Sequence, residues 1–192
     1  MLTVPACESC NHALSLDEEY VRDRLISDYR ASDHPVAQEI VEGPVARSVK
    51  RHISTLRTDF EQNSVWGPVT TKAGIYLGHA YALEIDRARF EHVISGIVKG
   101  LIYLKWKRPL RADYKLLITL PDQLQAQDTW RIMQKSDYNG PWTYGDRVLT
   151  WVFVKSEADP DVTVWLLTFY EHLTVEVATL SPDMVVALSA QR

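Results

Sequence analysis

Cysteine is nearly missing from this chain, with two thiols, Cys7 and Cys10, in 192 residues. A pair this close cannot build a disulfide framework, so a hydrophobic core must hold the fold and the pair itself points to metal or redox chemistry. Long apolar runs are missing too. No stretch approaches the roughly 20 residues that a membrane-spanning helix needs, and the first residues form neither a basic n-region nor an apolar h-region. The expectation is a cytoplasmic protein with no membrane partner. Excess positive charge is also lacking, since 21 Lys and Arg stand against 25 Asp and Glu for a net charge of −4. Without a molecule-wide basic field, any nucleic-acid contact must be local. Internal repeats, low-complexity tracts, a phosphate-cradling glycine loop and a nucleophile elbow are all absent from the sequence.

What is present is the composition of a folded globular protein, with 46% hydrophobic and 10% aromatic residues. This length can bury one core, or one core plus a small appendage, and the pattern favours the second. We expect a partial knuckle segment over 1–31, a helical connector over 32–68, an α+β domain over 69–180 and a loose tail over 181–192.

Ser15-Leu16-Asp17-Glu18 reads as a capping box opening a helix, with Leu16, Tyr20, Leu25 and Ile26 toward the core. Pro35 and the Glu42-Gly43-Pro44 break predict two short helices, 35–41 and 44–57, and Asn63, Gly67 and Pro68 mark 58–68 as a loop. Residues 69–85 alternate as β structure, placing Ile75, Leu77, His79, Tyr81, Leu83 and Ile85 on one face with Gly78 near a turn or bulge. Asp86 can cap the most strongly patterned helix, 87–106, where Phe90, Val93, Ile94, Ile97, Val98, Leu101 and Leu104 recur at three-and-four spacing. Beyond it a strand over 114–120, a helix over 122–135 and strands over 148–155, 162–170 and 173–180 follow. The fold class is therefore α+β: a knuckle and short helices first, then a mixed, mostly antiparallel sheet packed on one long helix.

Cys7-x-x-Cys10 brings two thiolates toward one metal ion and supplies half of a tetrahedral zinc site. His12 with a distant histidine, or a cysteine pair from another chain or from upstream, would complete it. A thioredoxin-like dithiol wants its first cysteine at a helix N-terminus, and a helix opening at Ser15 begins too late for that. Inert, partly buried thiols are the third reading.

The run VPACESCNHALSLDEEYVRDRL resembles the second cysteine knuckle of bacterial HNH-endonuclease-like proteins: a Val-Pro lead, Cys-x-x-Cys-Asn, a Ser-x-Asp-Glu-Tyr helix start and an arginine. IVKGLIYLKWKRPL and TVWLLTFYEHLTVEVAT resemble the downstream domain of the same group. The resemblance implies that Cys7 and Cys10 are structural zinc ligands and that Asn11, matching the last His or Asn of the HNH signature, lies near a catalytic divalent ion such as Mg. It also implies DNA phosphodiester hydrolysis in a complete protein. The water-activating histidine belongs to an upstream part absent from this sequence, and His12 matches no position of the motif. Asn11 alone can orient but cannot abstract a proton, so these 192 residues by themselves are expected to be catalytically silent.

Two basic clusters could track DNA phosphates: Arg47, Lys50, Arg51 and Arg57, and Lys99, Lys105, Lys107, Arg108 and Arg111. Arg47, Lys50, Arg51, Lys105, Lys107 and Arg108 are the nominated contacts; a solvated helix face, or cations at a helix C-terminus, is the plainer reading. Trp142, Tyr144, Trp151, Trp165, Phe169 and Tyr170 stand at strand spacing and read as packing, and His34, His52, His79, His92 and His172 form no pair at ligand spacing. The functional alternative is a non-enzymatic interaction domain, with the cysteines inert or sharing zinc across a homodimer.

Overall fold

The computed structural model describes residues 8–45, 64–70, 74–120 and 123–190. Helix α1 spans Glu8–Ile26, a single 3-10 turn follows at Tyr29–Ala31, and α2 covers Pro35–Ile40. Strands β1, Ser64–Thr70, and β2, Tyr76–Leu83, form an antiparallel hairpin. Then come α3, Arg87–Trp106; β3, Lys115–Thr119; α4, Gln123–Gln134; β4, Asn139–Tyr144; β5, Leu149–Lys155; β6, Thr163–Phe169; β7, Leu173–Leu180; and α5, Pro182–Ser189. The five later strands make one antiparallel sheet in the order β3-β7-β6-β5-β4. The α+β expectation of a mostly antiparallel sheet on one long helix is what the chain adopts.

Helix α3 forms where its pattern predicts. The Asp86 carboxylate accepts from the amides of Ala88 at 2.9 Å and Arg89 at 3.1 Å, satisfying two of the orphan donors at a helix start. Lys107 closes the helix in the left-handed region, with φ 55°, and its amide donates to Tyr103 O. The buried stripe Phe90, Val93, Ile94, Val98 and Ile102 lies on one face of the sheet, against Phe153, Trp165, Leu167, Val175, Val177 and Ile118. These sheet residues share a face because register places Phe153 opposite Trp165, Trp165 opposite Val177, and Val177 opposite Ile118. The indole N–H of Trp165 donates to Thr163 Oγ1 at 2.6 Å, so no polar atom of that fully buried ring is stranded. The opposite face is partly covered by α4, whose Met133 is buried with Val152 and Leu166.

Several expectations are corrected. Helix α1 is already running at Glu8, so Ser15 sits inside it and no capping box forms there. Leu25 and Ile26 enter the core as expected, with Tyr20 packed against it; Val21 joins them and Leu14 packs beside them, while Leu16 is 54% exposed rather than core-facing. Gly43-Pro44 does not break the second helix within the described residues, because a wider helical turn over Val41–Val45 absorbs the proline; the rest of the proposed 44–57 helix lies outside them. Residues 64–68 are strand, not loop. Both strands of a two-stranded sheet are edges, where Pro68 and Gly67 are tolerated. One irregularity, opposite Val69 and Thr70, breaks the single-face alternation of β2 and brings Tyr76 and His79 to the same side, joined by a 2.5 Å hydrogen bond. Strand β4 was not expected, since Gly140-Pro141 hides it, yet Trp142 pairs with Trp151 and Tyr144 with Leu149. The proposed tail instead holds α5, which Ser181 caps by accepting from the amide of Met184.

Fully burying a side chain of the size of Leu or Ile contributes about 1.5–3 kcal/mol, so Val21, Leu25 and Ile26 together contribute on the order of 5 kcal/mol. That matches the net stability of many whole domains, about 5–15 kcal/mol, so α1 is part of the main core rather than hung from it.

Gly140 anchors the β4 edge with φ at +120°, and a Cβ there would meet Trp151 O at 2.9 Å. Gly140→Ala is expected to lower unfolding stability by about 2 kcal/mol through combined strain and clash. Urea denaturation checks this: a reduced midpoint at unchanged slope is the expected result.

Candidate functional site

Helix α1 carries the metal-ligand candidates. Cys10 is the third residue of the helix, in its first turn, and Asn11 and His12 follow on exposed positions; Cys7 lies outside the described residues. Cys10 and Asn11 therefore belong to a helix start, not to a turn ahead of a helix. Among the described residues no three His, Cys, Asp or Glu side chains gather around a common point. The donor set on the chain is thus two thiols three positions apart with Asn11 beside them, which suits zinc chemically and makes half of its tetrahedron.

What fixes this helix start relative to the body is an ionic clasp between α1 and α3. Arg89 donates from Nε to Asp17 Oδ1 at 2.7 Å and from Nη2 to Leu16 O at 2.9 Å. The other carboxylate oxygen of Asp17 accepts from His92 Nδ1 at 2.7 Å. The Arg89 guanidinium lies 4.0 Å from the centre of the Tyr20 ring, and the Tyr20 hydroxyl accepts from the Asp86 amide at 2.9 Å. One turn nearer the cysteines, the helices close further: a Cβ on Gly96 would stand 3.2 Å from the Leu14 methyl groups. The hydrogen bond from His92, followed by that from Arg89, holds the Asp17 carboxyl below its ordinary range.

The second basic cluster is divided by the fold. Lys105, in the last turn of α3, places its ammonium 5.4 Å from the Trp142 ring centre and 5.9 Å from that of Phe153. It borders an apolar cleft of about 190 Å3 formed by Leu101, Leu104, Trp142, Trp151, Phe153 and Trp165. Trp142 is 50% and Tyr144 47% exposed; both are cross-strand partners, of Trp151 and Leu149, at the sheet edge. Trp151 is half-buried and Trp165, Phe169 and Tyr170 are buried, as packing requires. Lys107 is exposed at the helix cap. Arg108 turns away to the buried Asp161, its Nη1 2.7 Å from Oδ1, and neutralises a carboxylate that has no other partner at that oxygen. Arg111 is paired with Asp113 at 2.8 Å. Arg47, Lys50 and Arg51 lie outside the described residues.

Sequence reasoning missed the pairing of Asp17 with Arg89 and His92, and no local signal announces it, because the partners are 72 and 75 residues apart. The pairing of Trp142 and Tyr144 did have a signal, the alternation Trp-Thr-Tyr facing Leu-Thr-Trp across the Gly145 turn.

Comparison with protein-family models, with curated proteins and with solved structures finds no match for this chain.

The clasp has a pH signature. Because the folded pKa of Asp17 is depressed, its contribution is present above the unfolded value, near 3.9, and is lost as pH falls through the folded value. Asp17→Asn should therefore destabilise the protein at neutral pH and flatten the acid limb of its stability profile below about pH 4. Denaturant midpoints of both proteins across the acid range measure the difference; parallel profiles would show that the clasp contributes nothing.

Proposed function

We propose that this chain is an HNH-endonuclease-like protein in which Cys7 and Cys10 form a zinc knuckle at the head of α1 and the α3–β4 margin contacts DNA. The observation that carries the reading is the position of Cys10 and Asn11 in the first turn of a helix built into the core. The resemblance runs a Cys-x-x-Cys-Asn knuckle into a helix that starts at Ser15; here α1 already includes Cys10 and Asn11, so what supports the reading is that the cysteine motif adjoins this helix. Zinc would be held by the thiolates and would supply local folding energy to the helix start. Among the described nominated contacts, Lys105 and Lys107 would meet phosphate while Arg108 is committed to Asp161, and the half-exposed Trp142 offers a ring face beside Lys105.

The reaction proposed for the group is divalent-metal-dependent hydrolysis of a DNA phosphodiester. Asn11 would orient a group at that metal. Asn11 cannot abstract a proton, so the part proposed for these residues is DNA binding rather than activation of the attacking water.

Two other readings keep one supporting observation each. The same helix start favours a redox dithiol, because the expected gap between Cys10 and the helix does not exist. The two-thiol donor set favours a non-enzymatic interaction protein that shares zinc across a homodimer.

Elemental analysis after purification with zinc separates them. One zinc per chain, lost in Cys7→Ser/Cys10→Ser, supports the knuckle; one zinc per two chains supports a site shared across a homodimer; a metal-free chain that forms a reversible Cys7–Cys10 disulfide supports the dithiol. Fluorescence anisotropy with labelled DNA tests the second half. Lys105→Ala should weaken binding and reduce the magnitude of the slope of log affinity against log salt by about one. An unchanged slope would remove Lys105 from the interface.

A further inference from the structure

On the sheet face turned away from α3, a row of threonines crosses three strands: Thr150 on β5 faces Thr168 on β6, which faces Thr174 on β7. Gln127 and Trp130 of α4 overhang this row, Pro141 borders it, and Glu171 and His172 stand where β6 turns into β7. Together they bound a groove of about 400 Å3. That is within the size range of small-molecule sites, about 300–1,000 Å3.

The chemistry of the lining is selective. Val152 and Leu166, packed with Met133, and Trp151 give the groove its apolar lining beside the threonines. The threonine row is half-buried and lines the groove with hydroxyls. Thr168 and Thr174 share one hydrogen bond at 3.2 Å, so one of their two hydroxyl protons stays available, and Thr150 makes no side-chain bond among the described residues. Trp130 is held edge-on to Tyr138, with ring centres 5.3 Å apart. The Glu171 carboxylate at the rim is bound by Arg147 at 2.7 Å, so the groove presents no unpaired cation for a phosphate.

A flat floor of hydroxyls beside an indole wall, with the rim charge neutralised, is suited to a ring that is apolar on its C–H face and hydroxylated at its edge. We propose that this groove binds a small neutral hydroxylated ring, a sugar either free or as the ribose of a nucleoside. The inference stands independently of the cysteine pair and of DNA.

Titration of the isotope-labelled full chain with methyl β-D-ribofuranoside and, separately, adenosine tests it by amide chemical shifts. Saturable shifts at Thr150, Thr168, Thr174 and the Trp130 indole are expected. Binding of both probes identifies a sugar site, and binding of adenosine alone a nucleoside site. Thr150→Val keeps the β-branched shape and removes the hydroxyl, and should weaken binding about tenfold. Absence of saturable shifts at these residues with either probe, in a chain whose spectrum is otherwise that of the folded protein, overturns the proposal. Unchanged affinity in Thr150→Val overturns it as well.

Discussion

The seating of α1 on α3 is the constraint on which the remaining structure depends. Three contacts at successive levels define it: Leu14 closing on Gly96, Asp17 held by both Arg89 and His92, and the Tyr20 hydroxyl accepting from the Asp86 amide that opens α3. Apolar contact gives the close approach, and charge-assisted hydrogen bonds, which tolerate little misalignment, set rotation and register. Further along, Val21, Leu25 and Ile26 run into the core that α3 shares with the sheet. The first turn of α1, with Cys10 and Asn11, is consequently fixed to the sheet through α3. A metal bound there would be coupled to the folded body.

The sheet divides its two faces between separate tasks. Toward α3 it presents large apolar side chains, with Phe153 stacked on Trp165 at 4.4 Å between ring centres and Trp106 edge-on to both. Its polar atoms are handled internally: Thr179 Oγ1 accepts from the Thr163 amide at 2.7 Å, and Thr163 Oγ1 accepts from the Trp165 indole. Asp161, buried at the same end, draws Arg108 to it. A residue nominated for phosphate binding is thus committed to balancing an interior charge, whereas Lys105 lies beside the edge aromatic Trp142 and Lys107 is exposed at the helix cap. The other face keeps only part of its area under α4 and leaves the threonine row open.

Elements whose signals are local were legible in the sequence. The Asp86 cap, the three-and-four spacing and the extent of α3 needed no tertiary information, and the strands β5, β6 and β7 announced themselves through β-branched and aromatic residues between clear turns. The errors arose where local chemistry was outweighed. Ser15-x-x-Glu18 is a valid capping box, but packing of Leu14 and the continuation of the helix back to Glu8 placed it in an interior. Gly67 and Pro68 read as loop residues, yet they lie in β1, and Gly140-Pro141 lies in β4; both strands are sheet edges where a missing amide costs no ladder bond. Ser181-Pro182-Asp183 is a complete helix-start signal that a position near the end of the chain obscured. At the candidate site, Cys7, Cys10, Asn11 and the Lys105 cluster could be nominated from motif and charge. The clasp that positions α1 could not, because its partners meet only after folding.

The central claim is that the two cysteines grip zinc at the head of a helix anchored in the core. X-ray absorption at the zinc edge of the purified full chain reads this directly. The account predicts sulfur scatterers near 2.3 Å in a four-coordinate shell, present in the native chain and missing after Cys10→Ser. A zinc shell containing only oxygen or nitrogen, unchanged by that substitution, would contradict it.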